Sequence, residues 1–216
     1  MKTKKSYAVF GLGRYGIAVA KELVSNGMDV IAVDIDKKIV NDAAAFLPVC
    51  KCADVTDPEV IARLGIGNID VVVICMANTL DAGVMAIALC KEAGVKKIIA
   101  KCGNEIQQKI FLRVGADDVV FPEKESGIHL ANMLMSFGFV DMISLSDDVS
   151  IVELDVKEEW AGKNLIDLAL RQKYGFNVIA IKTDSQVNVK FSPETVLNIG
   201  EKLIVVANKA ELLKMK

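Results

Sequence analysis

The sequence predicts an α/β protein in which a doubly wound parallel sheet is followed by a crossover helix and a small C-terminal α+β domain. Three observations support this prediction. A glycine-rich turn joins the first strand to the first helix, strands and helices then alternate, and the pattern changes after Asp147-Asp148. We therefore expect a sheet domain over residues 1–122, a crossover helix and hinge over 123–146, and a C-terminal domain over 147–216.

The composition fits a globular chain of one or two domains. The 216 residues are 52% hydrophobic and 25% charged, and the net charge of −2 gives no reason to expect binding to nucleic acid. The longest apolar runs, such as Val71 to Ala77, are much shorter than the roughly 18 residues of a membrane span. No signal peptide precedes Tyr7. We expect a cytoplasmic protein.

The cysteines indicate structural thiols. They form no CxxC pair, and several lie in apolar, strand-like runs. We expect them to be buried and reduced, without metal ligation or redox work. The five are Cys50, Cys52, Cys75, Cys90 and Cys102.

The first strand, helix and second strand have the pattern of a βαβ unit. A strand over 7–10 passes through the loop GLGRYG at 11–16 into a helix that ends near Asn26-Gly27. A second strand over 30–33 then stops on Asp34. This order of strand, glycines, helix, strand and acid is typical of a Rossmann-like nucleotide-binding fold.

Each glycine of the loop has a separate physical role. Gly11 permits the tight turn, Gly13 lets a phosphate approach the backbone, and Gly16 lets the helix pack against the strand. The N–H groups at the helix start bind negative charge, and Asp34 can accept hydrogen bonds from ribose hydroxyls. The alternative is a tight turn that binds no ligand.

Arg14 and Tyr15 complete the loop, and Arg14 affects which nucleotide we expect. The phosphates of a dinucleotide are largely neutralised by backbone donors. A free terminal phosphate carries more charge, and a guanidinium can bind it through two hydrogen bonds. Arg14 therefore favours ATP or ADP over NAD. In the alternative interpretation, Arg14 lies on the surface above the loop.

The rest of the sheet domain continues the alternation. Asp57 or Thr56 is expected to cap the third helix, with Pro58 in its first turn. The predicted elements are a helix over 36–46, a strand over 49–53, a helix reaching Leu64, a strand over 71–75, a helix over 79–93, a strand over 97–100, a helix over 104–114 and a strand over 118–121.

Polar residues follow several of these strands and should meet at one edge of the sheet. Asp54 either contacts an adenine or ribose, or starts a turn. Asn78 follows the fourth strand. Lys101 follows the fifth strand, where it either offsets phosphate charge or is solvated. The convergence of these residues with Gly11 and Asp34 predicts a pocket.

The apolar residues of the crossover segment predict a strongly apolar helix over 128–135, and the helix is expected to break around Gly138. It is interpreted either as an oligomer contact or as a helix packed on its own sheet. His129, the single histidine, is expected to be structural.

The C-terminal domain is predicted as a small α+β unit that pairs with another copy. Its elements are a strand over 149–156, an amphipathic helix over 162–171, a strand over 178–182, a turn over 183–186, strands over 187–191 and 203–207, and a helix over 209–215.

Nearly the whole chain resembles the RCK (regulator of potassium conductance) family, in particular the cytosolic regulatory subunits of Ktr/Trk-type potassium uptake systems. The resemblance rests on the motifs FGLGRYG, AVDID, ADVTDPE, GADDVVFPEKESG, SIVEL and LALRQKYGFNVIAIK. It implies a homodimer that assembles into an octameric ring on a membrane potassium channel or transporter. It also implies binding of ATP and ADP, with NAD(H) in some relatives.

The resemblance also implies roles for individual residues. Arg14 would contact the terminal phosphates, and the segment 34–36 would hold the ribose. Asp54 and Val55 would face the adenine. In the ribose segment, Ile35 and Asp36 follow Asp34. The cleft would be lined by Met76, Ala77 and Asn78 and closed by Lys101, Cys102, Gly103 and Gln107.

Two further ligands follow from the resemblance alone. Glu123 resembles an acidic residue that approaches the nucleotide near the dimer interface and helps to hold a divalent or monovalent cation. Some C-terminal modules bind cyclic di-AMP, for which Arg171, Phe176 and Pro193 are candidate neighbours. The chain has Gly200-Glu201 where relatives often have a glycine-aspartate pair.

The expected function is therefore regulation and not catalysis, with ATP and ADP favouring different ring conformations. The alternative is an NAD(P)-dependent oxidoreductase, which needs a proton donor, yet the sequence has no Tyr-x-x-x-Lys and only His129 as an imidazole. A redox-sensing repressor would need a basic helix-turn-helix, and the sequence shows none.

Overall fold

The computed structural model describes residues 4–76, 79–135, 139–146, 148–184 and 186–212. The chain divides into two compact units, Met1–Glu125 and Ser126–Lys216. The predicted hinge at 136–138, Asp147, Ser185 and the end of the predicted last helix at 213–215 lie outside the described residues.

The first unit is a six-stranded parallel sheet with helices between the strands, as the sequence predicts. Its elements are β1 (Ser6–Phe10), α1 (Arg14–Ser25), β2 (Asp29–Asp34), α2 (Lys37–Ala43), β3 (Cys50–Cys52), α3 (Pro58–Arg63), a 3-10 helix (Ile66–Asn68), β4 (Val71–Ile74), α4 (Leu80–Glu92), β5 (Lys97–Lys101), α5 (Glu105–Val114) and β6 (Asp118–Val120).

The strand order is β3-β2-β1-β4-β5-β6, so the winding reverses between β1 and β4. Phe10 pairs with Val33 of β2 and with Ile74 of β4. The three central strands therefore end at the same level. The loops that follow them lie at the switch point, where open parallel sheets bind ligands.

Both faces of this sheet are covered, because alternate side chains of each buried strand enter different cores. Ala8 and Phe10 pack with α4 and α5 residues such as Ile87 and Phe111. Val9 packs on the other face with Ala20 of α1 and Ala43 of α2.

The structure decides between the two predicted caps of α3 and changes the expectation for the cysteines. Asp57, and not Thr56, caps α3: its Oδ1 accepts a hydrogen bond from the Glu59 N–H at 2.8 Å. Cys90 and Cys102 are buried as expected. Cys52 is exposed, while Cys50 and Cys75 are partly buried, and none of the five forms a disulfide.

The second unit contains an antiparallel sheet of order β10-β9-β11-β8-β7. A helix that begins in the first unit, α6 (Pro122–Met135), leads to it. The other elements are β7 (Phe139–Ser144), β8 (Val149–Asp155), a 3-10 helix (Glu158–Trp160), α7 (Leu165–Leu168), α8 (Leu170–Tyr174), β9 (Asn177–Lys182), β10 (Val187–Asn188), β11 (Lys202–Asn208) and α9 (Lys209–Leu212).

Three boundaries in this region differ from the sequence prediction. Helix α6 begins at Pro122, six residues before the predicted start at 128, because proline suits the first helical position. The predicted helix over 162–171 is two short helices, since Ala169 adopts φ 47° between them. The predicted strand over 187–191 retains only β10.

Candidate functional site

The glycine loop at the switch point has the geometry of a tight turn. Gly11 has φ +85°, a conformation that favours glycine, and its N–H donates to the Val33 carbonyl at 2.9 Å. A Cβ on Gly16 would overlap the carbonyl oxygen of Gly11. Helix α1 can therefore approach the loop only because residue 16 has no side chain.

Gly13 has a different environment from the other two glycines. A Cβ built on it meets no atom within 4 Å. It is the N-cap of α1, no side chain caps it, and the first turn of α1 contains no acidic residue. The N–H groups at this helix start therefore have no capping side chain, and the space beside Gly13 is open, which suits an approaching phosphate.

Asp34 holds the glycine loop against the end of β2. Its Oδ2 accepts a hydrogen bond from the Leu12 N–H at 2.6 Å, and its Oδ1 accepts one from the Asp36 N–H at 2.9 Å. Asp36 in turn caps α2, because its Oδ1 accepts from the Lys38 N–H at 2.8 Å. Each Asp34 oxygen retains a further lone pair for a ribose hydroxyl.

A cavity of about 490 Å³ opens beside this loop. It brings together six of the residues predicted from the sequence: Gly11, Asp34, Ile35, Asp54, Val55 and Met76. It also has lining residues that the sequence does not predict, from the start of α4, from the end of β2 and from the loop after β3. The residues not predicted are Val33, Ala53, Thr56, Thr79, Asp81, Ala82 and Met85.

The cavity is acidic. Its described lining includes Asp34, Asp54 and Asp81 and contains no lysine, arginine or histidine. Thr56 donates to Oδ1 of Asp54 from its hydroxyl at 2.7 Å and from its backbone N–H at 2.9 Å, and these two bonds lower the pKa of Asp54. Such a lining suits hydrogen-bond donors, for example ribose hydroxyls and an amino group, and it repels phosphate.

A second cluster lies outside this cavity, at the ends of α1, β5 and α6. Lys101 Nζ is 2.6 Å from Oε1 of Glu123 and 5.9 Å from the centre of the Tyr15 ring. The hydrogen bond from Lys101 lowers the pKa of Glu123. Burial, followed by nearby acidic groups, raises the pKa of Tyr15.

The fold fixes the other predicted residues at the end of β5, and their ligand roles stay predictions. Cys102 is buried in the core, and burial raises the pKa of its thiol. The Gly103 N–H donates to Oε1 of Gln107 at 2.7 Å, which closes the turn after β5. Ala77 and Asn78 lie outside the described residues.

Arg14 is exposed at the first position of α1. Its guanidinium has no hydrogen bond or ion pair with any other described residue, so it remains available to an anion at the helix start. Across the described ranges, no three His, Cys, Asp or Glu residues are grouped to hold a metal. The cation role of Glu123 stays a prediction.

The second unit has a separate cavity of about 310 Å³. Arg171, Phe176 and Pro193, the residues expected near cyclic di-AMP, all line it. Ile166 and Asn177 contribute to the same wall.

Family models match most of the chain: the TrkA-N domain over residues 7–122 and the TrkA-C domain over residues 149–216. No helix within the described ranges has the length and apolar character needed to cross a membrane.

Relatives match over nearly the full length. The Ktr system potassium uptake protein C of Bacillus subtilis is 33% identical over 99% of this chain and 96% of its own. The Ktr system potassium uptake protein A of Vibrio alginolyticus is 34% identical over 98% of this chain and 97% of its own.

Solved structures share the fold. The GsuK channel has a TM-score of 0.69 at 18% identity, covering 99% of this chain and 39% of that one. The TrkA-N domain of YbaL from Escherichia coli has a TM-score of 0.54 at 15% identity, covering 62% of this chain and 99% of that one. The chain therefore belongs to the RCK family and carries the TrkA-N and TrkA-C domains of the Ktr system potassium uptake proteins.

Proposed function

We propose that this chain is a nucleotide-sensing regulatory subunit that gates a potassium channel or transporter. The observation that carries the proposal is the cavity at the switch point, which brings Gly11 of the glycine loop together with the carboxylates of Asp34, Asp54 and Asp81. Helix α1 follows the same loop, and no side chain caps its N-terminus. The Ktr relatives are named as potassium uptake proteins, and this chain matches them over nearly their full length. This similarity supports a partner that transports potassium.

The charge distribution orients the nucleotide in this proposal. The three carboxylates of the cavity favour a neutral nucleoside, with its ribose on Asp34 and its base between Val55 and Met85. The phosphates then lie outside the cavity, over Gly13 and the first turn of α1. Arg14 is the exposed cation at that position.

This orientation favours ATP and ADP over NAD(H). A terminal phosphate at the start of α1 carries charge that Arg14 can bind, whereas a dinucleotide would place a second nucleoside there. Solved structures of the GsuK channel contain NAD or ADP, which shows that the shared fold accommodates both kinds of ligand in that protein.

In this proposal, the subunits form dimers that assemble into an octameric ring at the inner face of the membrane, bound there through the membrane subunit. A difference of about 1 kcal/mol per site, acting together over roughly eight sites, exceeds the approximately 5.5 kcal/mol needed to reverse a 1:99 equilibrium. ATP and ADP would then select different ring conformations without any catalysed reaction.

Two further ligands belong to the same proposal. Glu123 would help to hold a divalent or monovalent cation beside the phosphates. The cavity lined by Arg171, Phe176 and Pro193 would bind cyclic di-AMP. Titration with cyclic di-AMP, with Arg171→Ala as the variant, tests the second ligand: equal affinity of both proteins would remove this cavity from the role.

Isothermal titration calorimetry with ATP, ADP and NADH tests the main proposal. Arg14→Ala should weaken ATP by about tenfold or more, because a charged hydrogen bond to phosphate is worth about 1.5–3 kcal/mol, and it should reduce the preference between ATP and ADP. Arg113→Ala, at an exposed arginine in the last turn of α5, is the matched control.

The outcomes separate the alternatives. Absence of adenine nucleotide binding by the unaltered chain would overturn the proposal. If Arg14→Ala binds ATP and ADP with the same two affinities as the unaltered chain, Arg14 has no role in phosphate recognition. Nucleotide-dependent oxidation of an alcohol, or reduction of an aldehyde, would support the oxidoreductase alternative.

A further inference from the structure

Helix α4 brings a carboxylate to the cavity at the switch point that no other side chain neutralises. Asp81 lies in the first turn of α4, is exposed, and lines the cavity. It makes no hydrogen bond or ion pair with any other described residue. Its charge suits this position, because a helix N-terminus stabilises an acidic side chain. Asp81 is therefore placed by the helix and remains available to a ligand.

The other two carboxylates of the cavity are already engaged. Both oxygens of Asp34 accept hydrogen bonds from backbone N–H groups. Oδ1 of Asp54 accepts two hydrogen bonds from Thr56. These bonds hold Asp34 and Asp54 within their own loops. The two oxygens of Asp81 have no such donor in the part of the chain that the structure describes, so both can accept from a bound molecule.

The position of Asp81 on α4 places it beside the base of the proposed nucleotide. Asp81 and Met85 are four residues apart, so they lie on the same side of the helix, and both line the cavity. Met85 is the residue that packs against the base in the proposed function, opposite Val55. Asp34, which takes the ribose, belongs to the end of β2. The base is therefore the part of the nucleotide that Asp81 meets.

The chemistry of a carboxylate limits what Asp81 can bind there. An ionised carboxylate only accepts hydrogen bonds, and it repels phosphate. Apart from the ribose hydroxyls, the hydrogen-bond donor of an adenine nucleotide is the amino group at position 6 of the base, which has two N–H bonds. Asp54 follows β3 and Asp81 begins α4, so two different elements each offer a carboxylate to the same cavity.

We propose that Asp81 determines the base specificity of the cavity by accepting a hydrogen bond from the 6-amino group of adenine, while Asp54 accepts the second N–H of the same group. This inference rests on the proposed function, and it names the part of the ligand that the start of α4 recognises. Hypoxanthine is rejected for the same reason, since its 6-oxygen faces a carboxylate without a proton between them.

Calorimetric titration of the full chain with three nucleotides tests this recognition. The group at position 6 is an amino group in ATP, an oxygen in ITP and a hydrogen in purine riboside 5′-triphosphate. The unaltered chain should bind ATP at least about tenfold more tightly than purine riboside triphosphate, the value of one hydrogen bond to a charged acceptor. Asp81→Ala should reduce that preference by about tenfold, and it should tighten the binding of ITP.

The pattern of the changes separates recognition from charge alone. A merely solvated carboxylate only repels the phosphates, so its removal would tighten all three nucleotides by the same factor, and the inference would be wrong. An unchanged ratio of the ATP and purine riboside triphosphate affinities in Asp81→Ala would overturn it too, because Asp54 alone would then bind the amino group. Tighter binding of ITP cannot result from misfolding, so this measurement protects the test against a damaged variant.

Glu59→Ala is the matched control. Glu59 is an exposed acid in the first turn of α3, and it lines no part of the cavity. Its removal should leave the ratios of the three affinities unchanged. Absence of binding of all three nucleotides by the unaltered chain would overturn the proposed function. An unchanged ratio in Asp81→Ala overturns the inference alone, so the two failures are distinguishable.

Discussion

A matched pair of alanine substitutions in the glycine loop separates structure from ligand binding. The added Cβ of Gly16→Ala overlaps the Gly11 carbonyl oxygen, while the added Cβ of Gly13→Ala meets no atom within 4 Å. Gly13 also has φ −65°, which alanine adopts without strain. The first substitution should therefore damage the fold, and the second should damage only the binding of a phosphate.

The magnitudes follow from what each methyl group meets. The contact at Gly16 is with backbone, which cannot rotate away, so we expect a loss of about 3 kcal/mol, the upper part of the range for overpacking. For a chain of this length that corresponds to a melting temperature lower by roughly 6–12 °C. Gly13→Ala should cost less than about 1 kcal/mol, since alanine is only a poorer N-cap.

Thermal melting followed by far-ultraviolet circular dichroism measures the stability of both variants, and calorimetry with ATP measures binding. Gly13→Ala should bind ATP at least about tenfold more weakly, because a methyl group occupies the space in which the phosphate approaches. Equal melting temperatures for the two variants would refute the close approach of α1 to the loop. Unchanged ATP affinity in Gly13→Ala would refute the phosphate position.

Two further predictions concern stability. Hydrogen bonds from Lys96 and the Ser6 N–H lower the pKa of Asp70 to about 2. Asp70→Asn should therefore lower the free energy of unfolding by a constant amount above about pH 4, as measured by urea unfolding. The two proteins should become equally stable as the pH falls through about 2. Ala169→Gly should stabilise the second unit by about 1 kcal/mol, because glycine adopts φ 47° without penalty. Unfolding followed by Trp160 fluorescence measures this change. The control Ala161→Gly, at φ −62°, should be destabilising instead.

The sheet and the glycine loop could be predicted because their signals are local. Buried parallel strands are short apolar runs, and the βα turns that follow β1 to β5 are each marked by glycine, asparagine or aspartate. The βαβ unit requires small residues at Gly11 and Gly16 for steric reasons, and the structure shows both contacts. Strand order then places Asp34 and Asp54 at one edge.

The missed features depend on distances that the sequence does not encode. Asp81, Ala82 and Met85 line the cavity because α4 starts against the switch point, and helical spacing alone does not show which face of its first turn is involved. Ala169 gives no local signal, since alanine rarely adopts positive φ. Helix α6 begins at Pro122, whereas the apolar pattern from which it was predicted starts only at residue 128.

Lys101 shows how the structure adds to what the sequence predicts for a single residue. The sequence offers it either as a phosphate partner or as a solvated lysine, but it is neither exposed nor unpaired, since Glu123 neutralises it. The cation that is available at the start of α1 is Arg14, so the two positive charges differ in what a phosphate must displace. An anion at Arg14 meets an exposed guanidinium, whereas an anion at Lys101 meets an ammonium that Glu123 already neutralises.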